Sequence, residues 1–242
     1  MFVGIGTAIN VFSILFGTIV GKLLGNRFTE RTRSLLTDIL GIITLISAAS
    51  ALVSLSDSQF VAMIPNGGPI LVLLASLVIG GLLGSWLNIE GRLESLGIAL
   101  KNRFGKGEST FVEGFVTASL IFVIGPLAIL GSISDGMSTG IDQLLLKSIL
   151  DFFASIAFAA ALGWGVAFSA LPVGIYQGVW TVVGVALGSI LSDYQVAAMT
   201  ATGGVLLLGI GLKLLRIKDI AIGNLLPALV LAPIFVELAT QL

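Results

Sequence analysis

The sequence predicts an all-α protein, a polytopic bundle of seven or eight membrane-spanning helices. Of its 242 residues, 56% are hydrophobic and only 10% are charged, and the mean hydropathy is +1.11. Soluble domains average about 25% charged residues, so this chain has too few charges to cover a water-facing surface. Its apolar runs are continuous over about twenty residues, as a membrane-spanning helix requires. Barrel strands would instead alternate over about ten residues.

Eight segments have the length and composition of a membrane-spanning helix. They are residues 2–24, 35–54, 69–89, 111–133, 143–170, 172–192, 197–215 and 220–241. We expect the first segment to be retained rather than cleaved as a signal peptide, because no basic residue precedes it. The last segment contains Asn224, Pro227 and Pro233, so a broken or re-entrant helix is the alternative there.

The basic residues predict the orientation of these helices. Eleven of the twelve lie in three links, residues 22–33, 92–106 and 213–218. With eight spans all three links fall on one side of the membrane, which the positive-inside rule makes cytoplasmic. Both termini then lie outside. The balance of 12 basic against 13 acidic residues leaves no basic surplus for binding nucleic acid.

The longest link between the predicted spans is the segment 90–110. Leu93, Leu96, Leu100 and Phe104 recur at near-helical spacing among charged residues. This pattern predicts a helix lying in the cytoplasmic interface, and a plain extension of the third span is the alternative. Neither makes a separate domain, so residues 1–242 are predicted to form one transmembrane domain.

Weak internal similarity predicts a 3+3 inverted repeat. Aligning the second span with the fifth places Asp38 over Asp151, within residues 34–38 and 147–151. Residues 79–85 and 183–189 are also alike. Repeat one would cover residues 2–89 and repeat two residues 111–192, with extra helices over 197–241. Three helices is an odd number, so the second repeat enters the membrane from the opposite side, as in many secondary transporters. A duplication kept only for packing is the alternative.

Two pairs of small residues predict close helix contacts. Gly80 with Gly84 and Gly184 with Gly188 are four residues apart, which lets helix backbones approach each other closely. The contact could lie within one chain or form a homodimer.

Charged residues inside the fifth span are the first candidates for a functional site. An ionisable group in a span costs about 2.5–3.5 kcal/mol on insertion scales and is a functional candidate by default. Lys147, Asp151 and Ser155 are four residues apart and share one helical face. Asp151 lies about 12 Å along the helix from residue 143, near mid-membrane. We predict a carboxylate that couples to an ion or proton, and a self-neutralising ion pair is the alternative.

Helix-breaking residues are the second group of candidates. Gly125 and Pro126 interrupt the fourth span, and Ser132 and Asp135 follow in a turn-rich polar string. Broken helices present free backbone groups to ions and polar solutes, although a kink for packing alone is the alternative. Asn224 and Pro227 repeat this pattern in the eighth span. Gln177 is a separate polar candidate that, with Ser155, would line the path.

The sequence contains no histidine and no cysteine. This excludes Ser-His-Asp and Cys-His nucleophiles, His-ligated haem and the common zinc sites. We therefore expect no metal, no cofactor and no enzymatic activity.

Residues 125–132, 147–151 and 224–228 together resemble a bacterial integral-membrane family, domain of unknown function 554, the YqgA/YdfK-like proteins. The resemblance covers essentially the whole chain. It implies a protein of the bacterial cytoplasmic (inner) membrane with seven or eight spans, often labelled a transporter, and it supplies no substrate or site residues.

These observations favour a secondary transporter that moves a small solute or cation through the lipid bilayer by alternating access. A non-transporting scaffold or accessory subunit, or a passive channel, is the alternative.

Overall fold

The computed structural model describes residues 2–105, 109–124, 126–187 and 191–241, and this part of the chain is α-helical with no strands. Its helices are α1 (Ile5–Gly25), α2 (Glu30–Leu52), α3 (Ser58–Met63), α4 (Gly68–Leu87), α5 (Ile89–Phe104), α6 (Phe111–Val123), α7 (Pro126–Gly136), α8 (Asp142–Leu162), α9 (Gly165–Phe168), α10 (Ala170–Leu187), α11 (Asp193–Leu214) and α12 (Pro227–Ala239). Short 3₁₀ turns, Val53–Ser56 and Ile222–Leu225, follow α2 and precede α12.

The prediction of a polytopic helical membrane protein is confirmed. Among the described residues, seven stretches are long and apolar enough to cross a membrane: Ile5–Gly25, Glu30–Met63, Gly68–Leu87, Asp142–Leu162, Gly165–Ala186, Asp193–Leu214 and Ile222–Ala239. An eighth candidate is the pair α6 and α7, whose axes differ by 63°. The bend lies where a break was predicted. Pro126 begins α7, and Gly125 lies outside the described residues.

The predicted boundary between the fifth and sixth spans is wrong. Residues 143–170 were predicted as one helix, but α8 ends at Leu162. Gly163 then adopts a φ of +86°, a conformation that glycine tolerates and other residues rarely adopt. The sequence stays apolar through this turn, so hydropathy alone does not reveal it.

The amphipathic pattern in residues 90–110 does form a helix, α5, which begins at Ile89 and ends at Phe104. Its position in the membrane interface stays a prediction.

The chain forms two compact units that alternate along the sequence. The first comprises Met1–Leu40, Leu93–Val123 and Leu127–Ile190, and the second comprises Gly41–Arg92, Ile124–Pro126 and Leu191–Leu242. The prediction of one transmembrane domain over residues 1–242 stays a prediction, as does the inverted repeat.

In the first unit, α1 packs along α8 through glycines. Gly17, Gly21 and Gly25 lie against the backbones of Phe152, Ile156 and Ala160, with no room for a side chain. Near the start of α1, Gly6 lies against Leu144. Because the contacts advance together along both helices, α1 and α8 run in the same direction.

In the second unit, the helix pairs run in opposite directions. Gly80 and Gly84 of α4 lie against the backbones of Ala228 and Asn224. In the same way, α2 packs against α11, with Gly41 beside Leu215. Further along α2, Ala48 lies beside Gly204. The glycine pair of α4 therefore packs within the chain, and Gly188 lies outside the described residues.

These directions decide between seven and eight spans. For α1 and α8 to run in the same direction, the chain must cross the membrane an odd number of times between them. Helices α2 and α4 supply two crossings, so α6 and α7 together supply the third. The opposite directions of α4 and α12 require the same crossing, because only then is the number of spans between them even. The structure therefore favours eight spans.

The α1–α8 contact should be sensitive to a single added methyl group. A Gly21→Ala variant should lower the free energy of unfolding by about 1–3 kcal/mol, because the new Cβ would overlap the carbonyl group of Ile156. The matched control is Gly178→Ala in α10, where a Cβ meets nothing within 4 Å. Helix content followed by circular dichroism during titration with a denaturing detergent measures both variants. Equal stability of the two would contradict this packing.

Candidate functional site

A buried ion pair lies in the middle of α8. Lys147 donates a hydrogen bond from its Nζ to Oδ2 of Asp151 one helical turn later. Each residue is only 6% exposed. Asp151 is nine residues, about 14 Å, from the start of a helix about 32 Å long, at 1.5 Å per residue. Both charges therefore lie in the central part of a membrane-spanning helix.

The pair has neighbours on two other helices of the first unit. Asn10 of α1 lies beside the Asp151 carboxylate. Lys147 Nζ lies 5.8 Å from the centre of the Phe122 ring in α6, where a cation is attracted to the ring face. The charges thus face protein on more than one side.

Buried polar side chains without partners also occur in this unit. Asn10, Ser155 and Gln177 are fully buried, and both amide atoms of Asn10 and Gln177 and the hydroxyl of Ser155 have no hydrogen-bond partner among the residues described. Leaving a buried polar group unsatisfied costs about 1–3 kcal/mol, and most such groups in proteins are paired. These side chains therefore present free donors and acceptors to whatever enters this region.

Close helix packing places these groups. Gly17 allows α1 to approach Ser155, whose Cβ would lie 3.0 Å from a side chain added at that glycine. On α10, Gly174 lies against Val11 of α1, and Gln177 follows about one helical turn later. Of the residues predicted from the sequence, the structure places Lys147, Asp151 and Ser155 on one face of α8, and Gln177 on a helix that packs against α1.

Asp135 and Ser132 have local roles instead. The Asp135 carboxylate accepts hydrogen bonds from the backbone N–H groups of Gly4 (3.2 Å) and Gly6 (2.9 Å), so it caps the start of α1. The hydroxyl of Ser132 donates to the carbonyl of Ala128 in its own helix. Among the described residues, neither forms a hydrogen bond to the α8 pair, and the predicted Gly125 lies outside the described residues.

Asn224 and Pro227 belong to a second charged cluster, in the second unit. The Oδ1 of Asn224 accepts a hydrogen bond from the backbone N–H of Glu90 at 2.9 Å. The buried Glu90 carboxylate accepts from the N–H of Gly223 at 2.5 Å and from Lys213 Nζ at 3.0 Å. Pro227 occupies the first turn of α12, where the missing N–H has no cost. The predicted break is therefore a 3₁₀ turn held by Glu90.

Sequence reasoning missed Glu90 and Lys213. The sequence pattern did not single out Glu90, and Lys213 entered only as one of the basic residues that predict the orientation. Asn10 is a polar residue in an otherwise apolar span, which is a usable signal, but nothing in the sequence pairs it with Asp151. These contacts join residues more than 120 positions apart, so only the folded chain reveals them.

The α8 pair should behave as one thermodynamic unit. Lys147→Met or Asp151→Asn alone should lower the free energy of unfolding by about 3–5 kcal/mol, because each leaves a buried charge without its partner. The Lys147→Met/Asp151→Asn double variant should lose much less than the sum of the two. Detergent unfolding of all four proteins measures the interaction energy, and additive losses would contradict a coupled pair.

The Glu90 cluster should stabilise the second unit. Glu90→Ala removes the acceptor of Gly223 and a partner of Lys213, so it should cost about 1–3 kcal/mol. The control is Glu94→Ala, one turn later in α5 at an exposed position, which should change stability by no more than about 0.5 kcal/mol. Unfolding titrations measure both, and equal effects would show that the buried network contributes nothing.

Comparison with known proteins finds relatives along nearly the whole chain. The chain is 32% identical over 231 residues to "Uncharacterized membrane protein YdfK" of Bacillus subtilis (strain 168), covering 96% of this chain and 95% of that protein. It is 30% identical over 233 residues to "Uncharacterized protein YqgA" of Escherichia coli (strain K12), covering 94% of each. No solved structure matches.

A family model also matches residues 5–237. The resemblance seen in the sequence is thereby confirmed, and the name of the Bacillus subtilis relative agrees with the membrane-spanning helices found here. This chain is an integral membrane protein that belongs to the family described as Protein of unknown function (DUF554).

Proposed function

We propose that the protein is a secondary transporter of the bacterial cytoplasmic membrane that moves a small polar solute or cation by alternating access. Asp151 is the coupling carboxylate in this proposal, and Lys147 is the group that neutralises it between transport events. Ser155, Gln177 and Asn10 bind the solute or ion. Both relatives come from bacteria, and the basic links 22–33, 92–106 and 213–218 would lie in the cytoplasm.

The observation that carries the proposal is the set of unpartnered polar side chains in the unit that contains the charged pair. Five buried nitrogen and oxygen atoms on Asn10, Ser155 and Gln177 have no hydrogen-bond partner in the described part of the chain. In a purely structural bundle, apolar residues of similar size would avoid this cost. A solute or hydrated ion that binds there recovers the missing hydrogen bonds.

Coupling follows from competition for one carboxylate. When Lys147 neutralises Asp151, the α8 face has no net charge, and a cation or proton is held weakly. When a proton or cation occupies Asp151, Lys147 is released and its ammonium needs another partner. Ion binding and the conformation of the Lys147 side chain are thus linked, which is what a coupled transporter needs.

The broken helices have different parts in this proposal. The bend between α6 and α7 would free backbone groups within a candidate span, where they are tolerated only against protein or a watery cavity. The 3₁₀ turn before α12 is held by Glu90, so we assign Asn224 and Pro227 to holding the second unit closed. Ser132 and Asp135 position α7 and the start of α1 in this proposal.

The inverted repeat belongs to the same proposal, since two oppositely oriented repeats provide two exchangeable conformations. We expect no enzymatic activity, cofactor, metal or nucleic-acid partner. A homodimer would use apolar helix faces other than the Gly80 and Gly84 face, which packs against Ala228 and Asn224 of the same chain.

A non-transporting scaffold is the second candidate, and the closed Lys147–Asp151 pair favours it as much as transport does. The two differ in what the unpartnered side chains do. A scaffold has no use for Ser155 or Gln177, and replacing them with apolar residues should only stabilise it. A passive channel would conduct without saturation by any solute.

The flux of protons or sodium into liposomes tests the transport proposal. Purified protein is reconstituted with an internal pH- or sodium-sensitive dye, and pools of amino acids, sugars and polyols are added under an imposed membrane potential. Wild-type protein should show solute-dependent ion movement. The Lys147→Met/Asp151→Asn variant, in which no lone charge remains, should lose it at least tenfold.

A matched serine pair serves as the control. Ser155→Ala should raise the solute concentration for half-maximal flux, whereas Ser148→Ala should not, because the Ser148 hydroxyl already donates to the carbonyl of Leu144. Full ion-coupled flux in the double variant would overturn the role of Asp151. No solute-dependent flux in the wild-type protein for any pool would favour the scaffold.

A further inference from the structure

A polar cavity lies where the first unit carries the basic link 22–33, on the side predicted to be cytoplasmic, apart from the α8 pair. Its volume is about 130 Å³, well above the roughly 15 Å³ that one water molecule needs. It is formed where α1 and α8 end and α2 begins. Its lining includes the basic residues Lys22 and Arg33, the hydroxyl residues Ser109 and Thr110, and the helix ends at Gly25 and Gly163.

Arg33 is fixed by one hydrogen bond and has a further N–H donor without a partner among the described residues. Its Nη2 donates to the carbonyl oxygen of Gly25 at 2.9 Å, which fixes the guanidinium against the end of α1. Its Nε is buried and has no hydrogen-bond partner among the residues described. An arginine is charged at any physiological pH, so a buried N–H of this group favours an anionic acceptor.

Several backbone groups at the neighbouring ends of α1 and α8 have hydrogen-bond partners other than Arg33. The carbonyl of Gly25 also accepts a hydrogen bond from the backbone N–H of Phe28, and the carbonyl of Leu162 accepts from the hydroxyl of Thr110 at 2.9 Å. The N–H of Gly163 is bonded to the carbonyl of Ala159. At the end of α8, the carbonyls of Ala159 and Leu162 are therefore bonded without Arg33.

We propose that this cavity binds a phosphate group, carried either by the headgroup of an anionic phospholipid or by free inorganic phosphate. The Nε and Nη groups of arginine match two oxygens of a phosphate in a bidentate arrangement. Lys22 adds a second positive charge at the same cavity. Basic pockets between helices on the cytoplasmic side are where anionic headgroups bind.

The position in the chain agrees with a ligand at the membrane surface. Arg33 lies in the link 22–33, next to the end of the first span. The exposed Arg27 and Arg31 of this link add general attraction to an anionic surface without lining the cavity. This makes Arg31 a control for Arg33 of equal charge and nearly equal position.

Native mass spectrometry of the purified full chain tests the proposal by counting bound lipids. Phosphatidylglycerol and, separately, phosphatidylcholine are added at fixed ratios to the protein in detergent. The wild-type protein should hold one phosphatidylglycerol at least tenfold more tightly than phosphatidylcholine. Arg33→Gln should lose this preference, and Arg31→Gln should keep the affinity within about twofold.

A competition series identifies the source of the phosphate. If millimolar inorganic phosphate displaces the bound phosphatidylglycerol, both sources share the cavity. Binding of inorganic phosphate without phosphatidylglycerol, again lost in Arg33→Gln, supports the site with free phosphate as its ligand. Where Arg33→Gln fails to fold, Arg33→Lys replaces it. Lysine keeps the positive charge but cannot form the bidentate hydrogen bonds of the guanidinium group, so we expect at least fivefold weaker binding.

Two outcomes would overturn the proposal. The first is equal loss in Arg31→Gln and Arg33→Gln, which would reduce the effect to general attraction between a basic link and an anionic lipid. The second is the absence of specific binding of either phosphatidylglycerol or inorganic phosphate by the wild-type protein. Helix content measured by circular dichroism confirms that each variant compared is folded.

Discussion

The glycine-mediated contact between α1 and α8 determines more of this protein than any other interaction. Gly17, Gly21 and Gly25 bring the two backbones together over three turns. Lipid tails are as apolar as the side chains, so helix association in a membrane depends on such close packing rather than on the hydrophobic effect. The same contact sets the relative direction of the two helices, and that direction requires α6 and α7 to complete one crossing.

The contact also positions polar groups of the first unit at both ends of α1 and in its middle. At one end Asp135 caps the start of α1, and at the other Gly25 accepts a hydrogen bond from Arg33. In the middle, Asn10 lies beside Asp151. A shift of α1 along α8 by one turn, about 5.4 Å, would disrupt all three arrangements. The buried pair and the polar cavity thus depend on the same helix register.

The two units use a lysine–carboxylate pair in different ways. In the second unit Glu90 has hydrogen bonds from Gly223 and Lys213, and its neighbour Asn224 accepts from its backbone. This arrangement fits a structural clamp. In the first unit, the Lys147–Asp151 pair shares α8 with Ser155, whose buried hydroxyl has no hydrogen-bond partner among the described residues. The polar groups of the Glu90 cluster are therefore hydrogen-bonded, whereas, in the described part of the chain, the candidate site around Asp151 contains polar groups that are not.

Much of this protein could be predicted from its sequence. The scarcity of charge, the lengths of the apolar runs, the helix over residues 90–110 and the intramembrane position of Lys147 and Asp151 follow from composition and spacing, because they depend on neighbours a few residues away. The helix end at Leu162 could not be read from hydropathy, since the residues on both sides of Gly163 are equally apolar. Hydropathy also does not reveal three contacts. They are the hydrogen bonds by which Glu90 holds the 3₁₀ turn, the cap that Asp135 forms on α1, and the neighbours of Asp151. Those contacts join residues far apart in the chain, and which helix faces meet is decided by packing between helices rather than by the hydropathy of each helix alone.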